Sequence, residues 1–299
     1  MTDSLTPGQA ATTVGALVGE LAMMLDAAGI PDASREARDI IAALRDAPCF
    51  WTTVNGHAAL SAAEHEAARR AARERIRGAP FAYAVGTAAF RRLTLQVDER
   101  VLIPRPETEL LVDIALELVK GKRGGTAIDI GTGSGAIALA LAVEGDFDRV
   151  LAGDISTDAI EVARGNAARL PGGTRSRLEF RAGSLLAPFA GERASLVVSN
   201  PPYIAAIEAE ELPASVRAWE PAVALFGGLD GMSAIRRIIR DARSVLVPGG
   251  WLAMEVDARR ASWVVEALSV YDSYGDIGVR LDLSGRERYV VARVKEERQ

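Results

Sequence analysis

The 299-residue sequence predicts a helical domain followed by an α/β domain with a parallel sheet. In the first part of the chain, apolar residues recur at the three- and four-residue spacing of amphipathic helices. From Thr126 onward, short apolar strands alternate with helices and glycine-rich turns. Strands that alternate with helices favour parallel pairing through right-handed crossovers, so this part of the chain predicts a doubly wound sheet.

Helical periodicity defines the N-terminal domain, which we place at residues 1–77. Thr12–Gly29 forms one predicted helix, a second follows Asp32, and a third covers about 61–77. Ser61 to Glu64 matches a capping box, which marks the start of the third helix. That helix carries five arginines and three glutamates. They predict either a docking face for an acidic or RNA-bearing partner or, as we favour, an ordinary solvated face.

Residues 78–105 have a different character and predict a hairpin-bearing linker. Apolar and polar residues alternate from Leu93 to Val97, which indicates a strand. Each proline in Ile103-Pro104-Arg105-Pro106 disfavours helical backbone in the residue before it, so this piece is extended. A helix over Pro106–Val119 then begins the main domain, at residues 106–299.

The main domain alternates strands and helices. Strands are predicted at Thr126–Ile130, Arg149–Asp154, Leu178–Arg181, Ser195–Ser199 and Trp251–Val256, and helices after Gly135 and over Ile160–Leu170. The carboxyl ends of parallel strands share one edge of a sheet, where ligands of such folds bind. We therefore expect the chemistry of this protein at that edge.

Composition excludes several classes of function. The net charge of −5 argues against a protein that grips duplex nucleic acid, because neutralised phosphates dominate that affinity. The single Cys49 and two histidines, both early in the chain, predict no metal site in the main domain. Met1–Ala10 lacks a signal-peptide pattern, and the apolar stretch Ala136–Val143 is too short to span a membrane. We expect a cytoplasmic protein without membrane partners.

A glycine-rich turn follows the first predicted strand. Its residues are Gly131, Thr132, Gly133, Ser134 and Gly135. Glycines let a ligand approach the backbone beside a helix N-terminus, so a nucleotide, a dinucleotide or S-adenosylmethionine could bind there. The alternative is a purely structural turn. The dinucleotide fingerprint has its third glycine three positions after the second, where this chain has Ala136. Small residues are tolerated there, so this departure disfavours a dinucleotide without excluding it.

Asp154 closes the second predicted strand, 23 positions after Gly131. A carboxylate at this position can accept hydrogen bonds from both hydroxyls of a ribose. The alternative is a cap on the helix that follows. Together with the glycine turn, Asp154 favours an adenosine-bearing cofactor, without separating a nicotinamide cofactor from S-adenosylmethionine.

A third motif distinguishes S-adenosylmethionine from a nicotinamide cofactor, namely Asn200-Pro201-Pro202-Tyr203. It follows the fourth strand, so it lies at the same sheet edge. The side-chain oxygen of Asn200 and the carbonyl of Pro201 can accept both hydrogens of a planar NH₂ group, while Tyr203 offers a flat surface. The two prolines make the backbone rigid. Such a site aligns a nitrogen with a sulfonium methyl, and the rate of methyl transfer then comes mostly from positioning of the reactants. The alternative is a rigid proline turn.

These motifs resemble the HemK/PrmC family of protein-(glutamine-N5) methyltransferases. Further matching stretches are Pro80, Tyr83, Gly86 and Phe90, then Val101–Glu109, Glu220–Gly228 and Asp282–Arg288. The resemblance implies a small N-terminal helical domain, a hairpin linker and a Rossmann-like seven-stranded sheet of the class I S-adenosylmethionine-dependent type. It implies that the acceptor is the glutamine of the Gly-Gly-Gln motif in class I peptide chain release factors, and that S-adenosylhomocysteine is the product.

The resemblance also implies roles for particular residues. Gly131 to Gly135 would hold the methionine part of the cofactor, Asp154 the ribose, and Ser184 and Leu185 the adenine, where the family usually has an acidic residue. Asn200 to Tyr203 would hold the substrate glutamine, with Asn200 also beside the cofactor. Phe90 would line the methyl-transfer pocket, although core packing is its simpler interpretation.

Two rival functions stay open. An adenine or cytosine amino-methyltransferase of DNA or RNA would share the Asn200–Tyr203 motif, because its target is also a planar NH₂ group. The acidic net charge and the linker motif argue against it. A non-catalytic release-factor or ribosome binder on a methyltransferase scaffold is the second rival. The intact Gly131–Gly135 and Asn200–Tyr203 motifs argue against a dead site.

Overall fold

The computed structural model describes residues 12–296 and divides the chain into two compact units, Met1–Thr87 and Ala88–Gln299. The division falls inside the predicted linker of residues 78–105. The expectation that Met1–Ala10 contains no signal peptide lies outside the described residues. Within residues 12–296, no helix combines the length and apolar character that crossing a membrane requires.

The first unit consists of helices. They are α1 (Val14–Ala27), α2 (Ala33–Leu44), α3 (Trp51–Val54), α4 (Ala62–Ile76) and α5 (Phe81–Val85). The apolar stripes of α1, α2 and α4 form one core. The predicted capping box is present, because the Ser61 hydroxyl accepts from the Glu64 amide and the Glu64 carboxylate accepts from the Ser61 amide.

The arginines of α4 and its C-cap are largely paired inside the unit. Arg69 pairs with Glu20 at 3.0 Å and Arg75 with Glu36 at 2.5 Å, while Arg73 and Arg77 pair with Glu66 and Glu74. Four of the five predicted basic charges therefore have acidic partners nearby. This pairing supports the interpretation of a solvated helix face over that of a docking face.

A two-stranded hairpin lies at the start of the second unit, and only its first residue, Thr87, belongs to the first unit. Its strands are β1 (Thr87–Phe90) and β2 (Leu93–Gln96), and α6 (Pro106–Leu118) follows. Arg91 stands at the hairpin turn with a φ of 55°. Its guanidinium bonds Glu144 at 2.7 Å and Asp113 at 2.8 Å, and its amide donates to Glu109. These bonds fix the hairpin against the helices of the main domain.

The rest of the second unit is a seven-stranded sheet covered by helices, with strand order β5-β4-β3-β6-β7-β9-β8. Its strands are β3 (Thr126–Ile130), β4 (Arg149–Asp154), β5 (Arg177–Ala182), β6 (Ala194–Ser199), β7 (Leu246–Glu255), β8 (Tyr274–Leu281) and β9 (Glu287–Val294). Its helices are α7 (Ala136–Glu144), α8 (Thr157–Ala168), α9 (Ala214–Trp219), α10 (Ala222–Leu225), α11 (Ser233–Val245) and α12 (Ala261–Ser269). Buried apolar clusters cover both faces of the sheet.

The predicted parallel pairing is confirmed for the five strands β3 to β7, and the last strand departs from it. β9 inserts antiparallel between β7 and β8. A parallel connection needs a crossover of a dozen or more residues, whereas β8 and β9 are joined by a tight turn over 282–286. The Asp282 side chain accepts from the amides of Ser284 and Arg286 and so closes that turn.

Two elements of the main domain begin at least three residues earlier than predicted. The predicted strand from Trp251 begins earlier, at Leu246, and its pairing with β6 shifts between Leu246 and Trp251, so the intervening proline and glycines bulge out of the ladder. Helix α8 begins at Thr157 rather than Ile160, because the Ser156 hydroxyl accepts from the Ala159 amide and caps it.

The strand order creates a cleft at the carboxyl edge. β3 lies between β4 and β6, and all three run parallel. From β3 the chain moves to β4 on one side and later returns to β6 on the other. Ligands of open α/β sheets bind at such a reversal. The predicted motifs after Ile130, Asp154 and Ser199 therefore meet at one place.

Candidate active site

The glycine turn after β3 divides into two parts. Gly131 and Gly133 have φ angles of 71° and 52°, line a cavity of about 270 Å³, and have no heavy atom within 4 Å of the position of a Cβ. Their bare backbone therefore faces open space. A Cβ on Gly135 would instead lie 3.2 Å from the Ala163 Cβ, so this glycine allows close packing of α7 on α8.

Thr132 and Ser134 support the turn from within. Both are buried, and the Thr132 hydroxyl donates to Asp129 at 2.7 Å. The Ser134 carbonyl accepts from Asn166 at 2.9 Å. Asp129 also accepts from the Ala138 amide at 3.1 Å, which ties the turn to the start of α7. Complete burial raises the pKa of Asp129 to about 7.

Asp154 faces the same cavity. One carboxylate oxygen accepts from the Gly133 amide and the other from the Ser156 amide, both at 2.9 Å. Because Ser156 caps α8, the alternative of Asp154 as the helix cap does not describe this structure. Burial raises the pKa of Asp154, as expected for a carboxylate in a partly enclosed pocket. Asp154 therefore both braces the glycine turn and lines the cavity.

Ser184 and Leu185 line the same cavity as Asp154. Where the resemblance leads us to expect an acidic residue, the Ser184 hydroxyl instead accepts from Arg237 at 3.2 Å. Arg237 also lines the cavity and was not predicted. This part of the site consequently presents a hydroxyl, a guanidinium and an apolar side chain rather than a carboxylate.

Asn200-Pro201-Pro202-Tyr203 separates that cavity from a second one of about 340 Å³. Asn200 lines both cavities. Pro202 lines the first, whereas Pro201 and Tyr203 line the second. A group bound in the second cavity would therefore meet a ligand of the first at Asn200.

A hydrogen-bonded chain runs behind Asn200. Its Nδ2 donates to the Thr108 hydroxyl at 3.0 Å, and that hydroxyl donates to Glu255 Oε2 at 2.8 Å. The Tyr203 hydroxyl contacts the other Glu255 oxygen at 3.5 Å. Thr108 and Glu255 are buried. Sequence reasoning gave neither residue a role, although Thr108 lies in the matching stretch Val101–Glu109 and Glu255 lies in the predicted strand Trp251–Val256.

Ion pairs shape the second cavity. Arg105, which lines it, pairs with the buried Glu220 at 2.5 Å. The pair links the extended segment before α6 to the stretch Glu220–Gly228. Arg259, also in the lining, pairs with Glu208 at 3.1 Å. Sequence reasoning did not predict these pairs, because the two members of each pair lie far apart in the sequence.

Phe90 lies elsewhere. It is fully buried in the apolar cluster that contains Leu95 and Leu111. In the part of the chain that the structure describes, the lining of neither cavity includes it. This placement supports the core-packing interpretation, and a role in methyl transfer has no geometric support. Among residues 12–296, no group of three or more His, Cys, Asp and Glu side chains is arranged to hold a metal ion.

Solved structures share this architecture. A methyltransferase from Pyrococcus furiosus aligns with 68% of this chain and 89% of its own, with a TM-score of 0.51 and 19% identity. The hMettl16 catalytic domain, solved with an RNA hairpin, aligns with 82% of this chain and 87% of its own, with a TM-score of 0.55 and 15% identity. At these identities the likeness shows the class I methyltransferase fold alone.

Sequence relatives go further. Residues 17–86 match the PrmC N-terminal domain, and residues 107–215 match the methyltransferase small domain. The release factor glutamine methyltransferase of Gloeobacter violaceus is 44% identical over 73% of this chain and 76% of its own. That of Cereibacter sphaeroides is 40% identical over 90% of this chain and 94% of its own. The resemblance drawn from the motifs is confirmed, and the chain belongs to the release factor glutamine methyltransferase family.

Proposed function

We propose that this protein transfers a methyl group from S-adenosylmethionine to the side-chain amide nitrogen of the glutamine in the Gly-Gly-Gln motif of class I release factors. The observation that carries the proposal is the position of Asn200, which lines both cavities. A cofactor in one cavity and a planar amide in the other would meet at this residue. Family membership supports the same substrate.

The first cavity fits S-adenosylmethionine. The bare backbone at Gly131 and Gly133 gives the close approach that the cofactor needs. The Asp154 carboxylate can accept from ribose hydroxyls, and Leu185 offers an apolar surface to the adenine. When bound, the cofactor supplies a methyl group activated by its sulfonium. Asn200, which lines both cavities, would then lie between that methyl group and the acceptor.

The second cavity fits a side-chain amide. The lone pair of an amide nitrogen is delocalised, so the site must hold the NH₂ group in a reactive orientation. The Asn200 Oδ1 and the Pro201 carbonyl can accept its two hydrogens, and Tyr203 can pack against its plane. These groups polarise and orient the nitrogen. The rate would then arise from positioning and the exclusion of water.

We further propose that residues 1–77 recognise the protein substrate. Every residue in the two cavity linings lies at or after Arg100, so the N-terminal unit is not needed to form them. The match of residues 17–86 to the PrmC N-terminal domain fits a function particular to this family. We place the reaction in the cytoplasm, where translation terminates.

A nucleic-acid amino-methyltransferase is not favoured. The net charge is −5, and the RNA-bound structural neighbour shares only 15% identity. Direct binding of duplex nucleic acid is therefore not expected.

Mass spectrometry tests the proposed function. A class I release factor is incubated with enzyme and S-adenosylmethionine, and we expect a gain of one methyl on the glutamine of its Gly-Gly-Gln motif. A release factor whose glutamine is replaced by alanine is the matched control and should gain none. Methyl transfer to DNA or RNA without transfer to the release factor would contradict the proposal.

A further inference from the structure

We propose that Thr108 and Glu255 are positioning residues that fix the side-chain amide of Asn200 with its oxygen toward the acceptor. The inference rests on the proposed function and adds to it the residues that give the Asn200 amide its direction. An asparagine amide can rotate by half a turn and exchange its donor and acceptor ends. Only one orientation can accept a hydrogen from a substrate NH₂ group.

The polarity of the chain follows from its chemistry. An ionised carboxylate can only accept hydrogen bonds, whereas a hydroxyl has a single proton to donate. The Thr108 hydroxyl uses that proton to donate a hydrogen bond to Glu255 Oε2 at 2.8 Å. Thr108 must therefore act as an acceptor toward Asn200, and only the Nδ2 end of the amide carries hydrogens. The observed bond from Asn200 Nδ2 to Thr108 at 3.0 Å has this direction.

The opposite polarity would disable the site. If the amide were reversed, its NH₂ group would face the NH₂ group of the substrate, and two donors would meet. The buried donors would then lack acceptors, which disfavours binding of the substrate NH₂ group in this orientation. Thr108 and Glu255 thus decide whether the motif attracts or repels an amide nitrogen.

The placement of Glu255 supports this role. The side chain is buried, and within residues 12–296 it forms no ion pair at 4 Å or less, although burying a charge is costly. Burial raises the pKa of Glu255, whereas the hydrogen bond from Thr108 and the Arg288 charge oppose that rise. Tyr203 contacts Oε1 at 3.5 Å, and Tyr289 is its partner on β9. A buried carboxylate without an ion pair is explained if its role is to accept the hydrogen bond from the Thr108 hydroxyl.

The first test compares substitutions at Thr108. Thr108→Val keeps the shape of the side chain and removes the hydroxyl, whereas Thr108→Ser restores the hydroxyl. We expect Thr108→Val to lower kcat by about tenfold to a hundredfold, because misplaced reactants lose about that much rate. The Kd for S-adenosylmethionine should stay within about twofold of wild type, since the loss concerns orientation of the acceptor, and Thr108→Ser should recover most of the rate.

Matched controls separate orientation from general destabilisation. Tyr274→Phe removes another buried hydroxyl, bonded to the Ile239 carbonyl at 2.7 Å, far along the sheet from Asn200. It should leave kcat unchanged. Glu255→Gln is the alternative test variant if Thr108→Val does not fold. The amide of the introduced glutamine can donate to the Thr108 hydroxyl, which can then donate its own proton to Asn200 Oδ1. This permits the reversed orientation of the Asn200 amide, so kcat should fall as it does for Thr108→Val.

A double-mutant cycle with Asn200→Ala tests whether Thr108 acts through Asn200. In single turnovers, Thr108→Val should cost less than about twofold once Asn200 is alanine. An equal loss in both backgrounds would overturn the inference, as would wild-type kcat in both Thr108→Val and Glu255→Gln. If Asn200→Ala itself kept full turnover, the proposed transfer site would fail instead. The two failures are therefore distinguishable.

Discussion

Asn200→Ala is the most direct perturbation of the proposed site. Asn200 lies at the end of β6 between the two cavities, with its Nδ2 bonded to Thr108. Alanine removes the Oδ1 acceptor and leaves one substrate N–H without a partner. An unsatisfied buried donor costs about 1–3 kcal/mol, which corresponds to a factor of roughly five to a hundred and fifty in rate.

Loss of alignment adds to that cost. Without Oδ1 the acceptor nitrogen is held only by the Pro201 carbonyl and by packing, and a displacement of about 1 Å can cost a hundredfold. We therefore expect turnover to fall by about three to four orders of magnitude. The fold should survive, because the Thr108 hydroxyl keeps its bond to Glu255 at 2.8 Å.

The assay is single-turnover methyl transfer to a release factor at saturating S-adenosylmethionine, with cofactor affinity measured by calorimetry. Asn200→Asp is the informative companion. It retains an acceptor but places a second carboxylate on the Thr108 hydroxyl, which already donates to Glu255. We expect this variant to bind the cofactor and to lose most of its rate. Wild-type transfer by Asn200→Ala would refute the role of the motif.

Three further predictions concern the cofactor, the N-terminal unit and a buried acid. Asp154→Ala should weaken S-adenosylmethionine binding by roughly 1.5–3 kcal/mol, because charge-assisted bonds are lost, and calorimetry that finds unchanged affinity would contradict this. A chain beginning at Ala88 should bind the cofactor but methylate a release factor far more slowly than the full chain, and equal rates would argue against recognition by the first unit. Asp129 has an ordinary pKa of 3.8 and a folded pKa of about 7, so the folded state holds the proton between these values. The unfolding free energy of wild type, taken relative to that of Asp129→Asn, should therefore fall as the pH rises through that window. Urea titrations without cofactor measure this difference, and a difference that stays constant with pH would contradict the raised pKa.

The buried parallel strands could be predicted from the sequence closely. β3 and β4 have the predicted bounds, because each is a short apolar run that ends at a glycine turn or an acidic residue. The capping box likewise fixed the start of α4. The antiparallel insertion of β9 could not be predicted in this way, because β8 is only partly buried and its apolar pattern is weak. Pairing between strands is also a non-local property.

The sequence by itself determined the family, the cofactor class and the residues of the two main motifs, because each motif is a short continuous segment whose chemistry follows from its own residues. Only the tertiary structure showed that Asn200 lines two cavities and that Gly135 serves helix packing. Only the tertiary structure also showed the hydrogen bond between Thr108 and Glu255, which are 147 positions apart. A hydrogen bond over that separation leaves no periodicity in the sequence, since it arises only when the ends of α6, β6 and β7 are brought together.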